Sequence, residues 1–75
     1  MKNKNVTTGQ RWLDGDPRSR SRVIIVDAVD EITGTFAAHE QSDSERRPLT
    51  FAIGPFLRRA GTNRGFRLID PGPRR

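Results

Sequence analysis

The sequence predicts an all-β domain of five short strands, and three observations carry that expectation. Apolar residues alternate with polar ones over short stretches. β-branched residues concentrate in the longest aliphatic run, Val23 to Val26. Clusters of Gly, Pro, Asp and Asn cut the chain into segments too short for a stable isolated helix. The 75 residues supply one core at most, because a chain of this size buries only about 60% of its unfolded surface.

The elements follow in order. Gly9 to Leu13 begins a short first strand, which the turn signal Asp14-Gly-Asp-Pro17 ends. Arg22 to Val29 is the strongest strand, with Ile24 and Val26 on one face and Val23 and Ile25 on the other. Val29 joins the inward pair only through a one-residue bulge near Asp27 and Ala28. After a tight connection at Asp30-Glu31, Ile32 to His39 is expected as the third strand, with Gly34, Phe36 and Ala38 on one face and a kink at Gly34. Glu40 to Pro48 has no apolar residue and reads as a mobile loop. Leu49, Phe51 and Ile53 alternate in a fourth strand that Gly54-Pro55 terminates. Phe56 to Ala60 is short enough that a single 3₁₀ turn is expected. Gly61 to Gly65 is a turn and Phe66 to Ile69 the fifth strand.

A long loop after the first strand and one helical turn before the last give the order of a small SH3-like barrel, in which closure removes exposed edges. An OB-fold wants a longer chain and a proper helix where this sequence has the polar loop 40–48. The domain boundaries expected are a flexible arm at 1–8, the barrel at 9–69 and a Pro/Gly/Arg tail at 70–75.

The stretch GQRWLDGDPRSRSRVIIV, with F-x-I-x-x-x-L and G-F-R-L-I further on, resembles a family of small uncharacterised SH3-like β-barrel proteins from actinobacteria and their phages. The matching residues are Gly9, Gln10, Trp12, Asp14, Asp16, Pro17 and Arg18, then Phe51, Ile53, Leu57 and Gly65 to Leu68. The resemblance spans most of the chain and implies a compact β module; it implies no catalytic residues. It departs in the fourth strand, where members often carry basic residues and this chain has Ala52 and Gly54.

Composition narrows the function classes. There is no cysteine and a single histidine, His39, so the common zinc ligand sets and Cys/His pairs are missing, and no cofactor or metal is expected. The carboxylates Asp14 and Asp16 flank a glycine before a proline, where turn formation explains them better than acid/base work. Gly61 and Gly65 lack the lysine and following helix of a phosphate loop. His39, beside a charged loop, reads as an exposed polar residue. The expectation is a protein that is not an enzyme. No apolar run approaches the roughly 20 residues that cross a bilayer, and the lysine-bearing start has no hydrophobic segment after it, so a cytoplasmic location without membrane contact is expected.

Charge is more informative. The net charge is +5, and 12 of the 14 basic residues are arginine. Residues 1–25 hold six bases and two acids, 26–45 hold six acids and no Lys or Arg, and 46–75 hold eight bases and one acid. Arginine presents a planar five-donor fork suited to phosphate. If the barrel brings the two basic ends together, Arg18, Arg20 and Arg22 join Arg58, Arg59, Arg64 and Arg67 in one face, away from the acidic stretch at Asp27 to Glu31. Such a face is expected to bind DNA or RNA through the backbone, with Trp12 and Phe56 as candidates for base stacking or a partner groove. A loop of Pro, Arg and Ser is also well solvated without any ligand, and Trp12 serves equally as a core aromatic. A protein-interaction module, such as a phage or mobile-element protein docking on a host protein, and a structural homo-oligomer are the other two readings.

Overall fold

The structure, a computed structural model, describes residues 6–16, 18, 22–62 and 65–72. It is mostly β: strands β1 (Arg11–Asp14), β2 (Val23–Asp30), β3 (Thr35–Glu40), β4 (Leu49–Ala52) and β5 (Phe66–Asp70), with one helix, α1 (Ile53–Arg59), before the last strand. The strands form a single antiparallel sheet in the order β4-β3-β2-β1-β5.

The alternation in β2 does what its sequence predicts. Ile24 and Val26 are buried almost completely and pair with Glu40 and Ala38 of β3. The register then shifts between Val26 and Ala28, leaving Asp27 as the extra residue, and Val29 returns to the inner face opposite Phe36. Trp12 of β1 lies opposite Ile24, so the inner face of the sheet runs from Trp12 across Ile24 and Val26 to Phe36 and Ala38.

Helix α1 covers that face. Phe56 is its buried residue, and its ring centroid lies 4.9 Å from Trp12, 4.9 Å from Phe36, 5.6 Å from Phe51 and 5.0 Å from Phe66. Aromatic pairs at these spacings add to the apolar area they bury. In place of the expected 3₁₀ turn stands a seven-residue α-helix that begins at Ile53, before the Gly54-Pro55 pair expected to end a strand. The physical reason is that Pro55 sits in the first turn, where no N–H has an intrahelical acceptor to lose. The helix has no side-chain cap at Ala52; instead the N–H of Ile53 donates to the Gly34 carbonyl at 2.8 Å. Packing, not propensity, holds it.

One more boundary, and the closure of the sheet, differ from expectation. The third strand begins at Thr35, because residues 31–34 form the turn of the β2–β3 hairpin. Asp30 organises it, its Oδ1 accepting from the N–H groups of Ile32 and Thr33, and Gly34 takes the left-handed φ of 71° that closes it. This leaves Ile32 96% exposed. The hydrogen-bonded order also ends at β4 on one side and β5 on the other, so among the described residues the sheet is not closed. Phe56 spans the seam, touching Phe51 of β4 and Phe66 of β5.

The expected arm at 1–8 lies partly outside the described residues, but Val6 within it is buried in the core. The first and last described segments meet, since a Cβ on Gly72 would lie 3.2 Å from the carbonyl carbon of Gly9. Among the described residues no helix is long and apolar enough to cross a membrane.

Candidate functional site

Three connections converge at one end of the sheet. The N–H of Gly15, leaving β1, donates to the Gly65 carbonyl at 3.1 Å, which ties the β1–β2 loop to the α1–β5 turn. The N–H of Gln41 donates to the Val23 carbonyl at 2.8 Å, which brings in the β3–β4 loop. The hairpin turn 31–34 lies at the opposite end of β2 and β3.

The expected arginines fare differently there. Arg18 is exposed, yet its guanidinium is already engaged: Nε and Nη2 donate to the two carboxylate oxygens of Asp16 at 3.2 and 2.9 Å. That hydrogen bond and the adjacent negative charge hold its pKa above the ordinary arginine value. Arg22 is half-buried, donates from Nη2 to Asp14 Oδ2 at 3.0 Å and lies 5.9 Å from the Phe66 ring centroid. With Asp14 only 8% exposed, this pair belongs to the scaffold. Arg58 and Arg59 occupy the last turn of α1, exposed to solvent, with no ion pair among the described residues; their charge also suits the carbonyl end of a helix. Arg67 is exposed but opposite Leu13, on the outer face of the sheet, so it does not join them. Arg20 and Arg64 lie outside the described residues.

Burial corrects Trp12 and Phe56 as base-stacking platforms, although Phe56 also walls an apolar cavity beside Arg59. Both are core residues, 3% and 7% exposed, and the Trp12 indole N–H donates to Gln10 Oε1 at 3.0 Å. Neither presents a face on which a base stacks.

Sequence reasoning missed two arginines. Arg46 and Arg47 sit in the β3–β4 loop, which converges on the same end; Arg47 lines a recess together with Arg22, Glu40, Asp43 and Leu49. Their signal was the break from acidic to basic at Glu45-Arg46, masked by reading the loop as featureless. Asp43 orders that loop, accepting from Glu45 N–H, Arg47 N–H and Arg47 Nε at 3.0, 3.2 and 3.1 Å. The Arg47 side chain, and then the Glu45 N–H, hold the Asp43 carboxyl below its usual range.

Beside Arg59 the seam between β4 and β5 opens into a cavity of about 330 Å³. Phe51, Phe56, Phe66 and Pro55 form its apolar wall, and Asp14 and Asp16 stand at its edge with their charges already met by Arg22 and Arg18.

His39 is also corrected. It is buried on the outer face, in one row with Arg11 and Ile25, and its Nδ1 lies 2.9 and 2.8 Å from the two carboxylate oxygens of Asp27, the bulge residue. The bulge turns Asp27 toward the ring, and the pair fixes the bulge. Among the described residues no three His, Asp or Glu side chains gather as a metal ligand set.

None of the protein-family models, curated proteins or solved structures compared with this chain matches it.

Proposed function

We propose that this chain is a small, non-catalytic binding module that holds a nucleic-acid backbone at the end of the sheet where its three arginine-bearing connections meet. The observation that carries this is the pairing pattern there. Asp14, Asp16 and Asp43 are each taken by an arginine of their own loop, while Arg58 and Arg59 have no ion pair among the described residues. Surplus positive charge is thus left facing solvent, and arginine forks on a fixed frame suit phosphate oxygens. The absence of a long helix among the described residues favours backbone over base reading.

The proposal includes an SH3-like barrel, with α1 covering the seam that hydrogen bonds leave open between β4 and β5. It also includes kinship with the actinobacterial and phage proteins that the opening motif resembles. In support, the motif residues do scaffold work: Gln10 bonds Trp12, Asp14 bonds Arg22, and Gly9 takes a φ of 91°.

The test is binding to duplex DNA, single-stranded DNA and RNA across a salt series. At about 50 mM salt the protein should bind at micromolar concentration and weaken linearly in log–log terms, with a slope of about 0.9 per duplex phosphate neutralised. No binding at low salt to any of the three would reject the proposal.

A further inference from the structure

We propose that the chain associates head to tail with a second copy of itself, the β2–β3 hairpin of one molecule entering the cavity beside Arg59 of the next. Two unexplained features sit at opposite ends of the sheet. At one end the hairpin turn carries Ile32, 96% exposed, preceded by Asp30 and Glu31. A large aliphatic side chain held that far into water by a turn ordered through Asp30 is a preformed knob, since little further ordering is needed for it to bind.

At the other end is an apolar cavity of about 330 Å³, walled by Phe51, Phe56 and Phe66, ample for one isoleucine side chain. Its rim carries Arg59, and Arg58 precedes it in the same last helical turn. The charges complement: Glu31 accompanies the knob, and Arg59, without an ion pair among the described residues, stands at the rim, where the charges of Asp14 and Asp16 are already met by Arg22 and Arg18. The two surfaces share no residue, so each copy offers one of each. Such a contact is heterologous and propagates into a ring or a filament instead of closing as a two-fold dimer.

The contact is a knob with a charged collar and buries little area, so association is weak and sets in at protein concentrations on the order of 0.1–1 mM at low salt. Sedimentation and light scattering on the full chain over that range should show mass rising with concentration and falling with salt. Concentration-dependent amide shifts should appear both at 31–34 and at Gly65-Phe66. Ile32→Glu removes the knob from a position without core contacts, so the variant keeps its fold, checked by its unfolding curve, and should weaken association by about tenfold or more. Glu31→Arg and Arg59→Glu should each weaken it, and together they should restore it. A strict monomer at about 1 mM and low salt overturns the proposal. So does association that survives Ile32→Glu, which would assign the contact to another surface. The two readings share Arg59, but Ile32 plays no part in nucleic-acid binding, so Ile32→Glu tests the association while leaving the nucleic-acid reading to its own salt series.

Discussion

Gln10 satisfies two donors with one buried amide oxygen: the Trp12 indole N–H and the N–H of Thr7, each at 3.0 Å. Its replacement by alanine leaves the indole unpaired in the core, and an orphaned buried donor costs about 1–3 kcal/mol. Chemical denaturation of Gln10→Ala should show that loss with an unchanged m-value. Gly65 is less forgiving. A Cβ there would fall 1.6 Å from the Arg59 carbonyl oxygen, a backbone atom that cannot move without shifting the end of α1. Gly65→Ala should cost about 3 kcal/mol or more, against a smaller loss for Gly61→Ala, where only the φ of 84° is strained and the space is open. The turn was legible from its glycines, but that Gly65 is the intolerant one was not. The reason is how closely the turn folds back on the end of α1, which sets the Arg59 carbonyl and the Thr62 hydroxyl against Gly65. His39 makes the same point. Alanines precede it and a charged loop follows, and only the pairing of β2 with β3 sets it against Asp27.

Elements were legible where the local pattern and the tertiary demand agree. The β2 alternation forecast both the inward pair Ile24 and Val26 and the bulge that follows. Helix α1 was misread because Gly54-Pro55 signals a stop in a strand, yet in the first turn of a helix it removes nothing. What specifies the helix is Phe56 at the meeting point of four other aromatic rings. Phe56→Ala should therefore cost about 3–5 kcal/mol and loosen β4 and β5 first, which hydrogen exchange would report. The β3–β4 loop has a pH dependence of its own. With the Asp43 carboxyl depressed in the folded state, its ordering of the loop is present above the ordinary carboxylate pKa and disappears as pH falls through the depressed value. Amide shifts of residues 43–47 should follow that acid transition, and Asp43→Asn should abolish it.

At the scale of the molecule, block charge predicts a basic face apart from an acidic one, but Glu40, Asp43 and Glu45 of the acidic block stand at the arginine-bearing end, and which arginines are spare is not legible from the blocks. Pairing decides that: it takes up Arg18, Arg22 and Arg47 and leaves Arg58 and Arg59 without an ion pair among the described residues. Reversal of Arg58 and Arg59 to glutamate should flatten the salt slope for duplex DNA by about 0.9 for each phosphate they no longer neutralise. Arg22→Gln should instead lower thermal stability, because it leaves the 8% exposed Asp14 carboxylate without its cation.

The approach of Gly72 to Gly9 also bears on how the chain can be threaded. With those segments side by side, a short linker joins them while the backbone is cut at the solvent-facing tip between Ile32 and Thr33. The rearranged chain keeps every strand neighbour, although β2 then ends the polypeptide and β3 begins it. Its folding to the same sheet, read from the amide spectrum, would show that connectivity in space matters here and the order of translation does not.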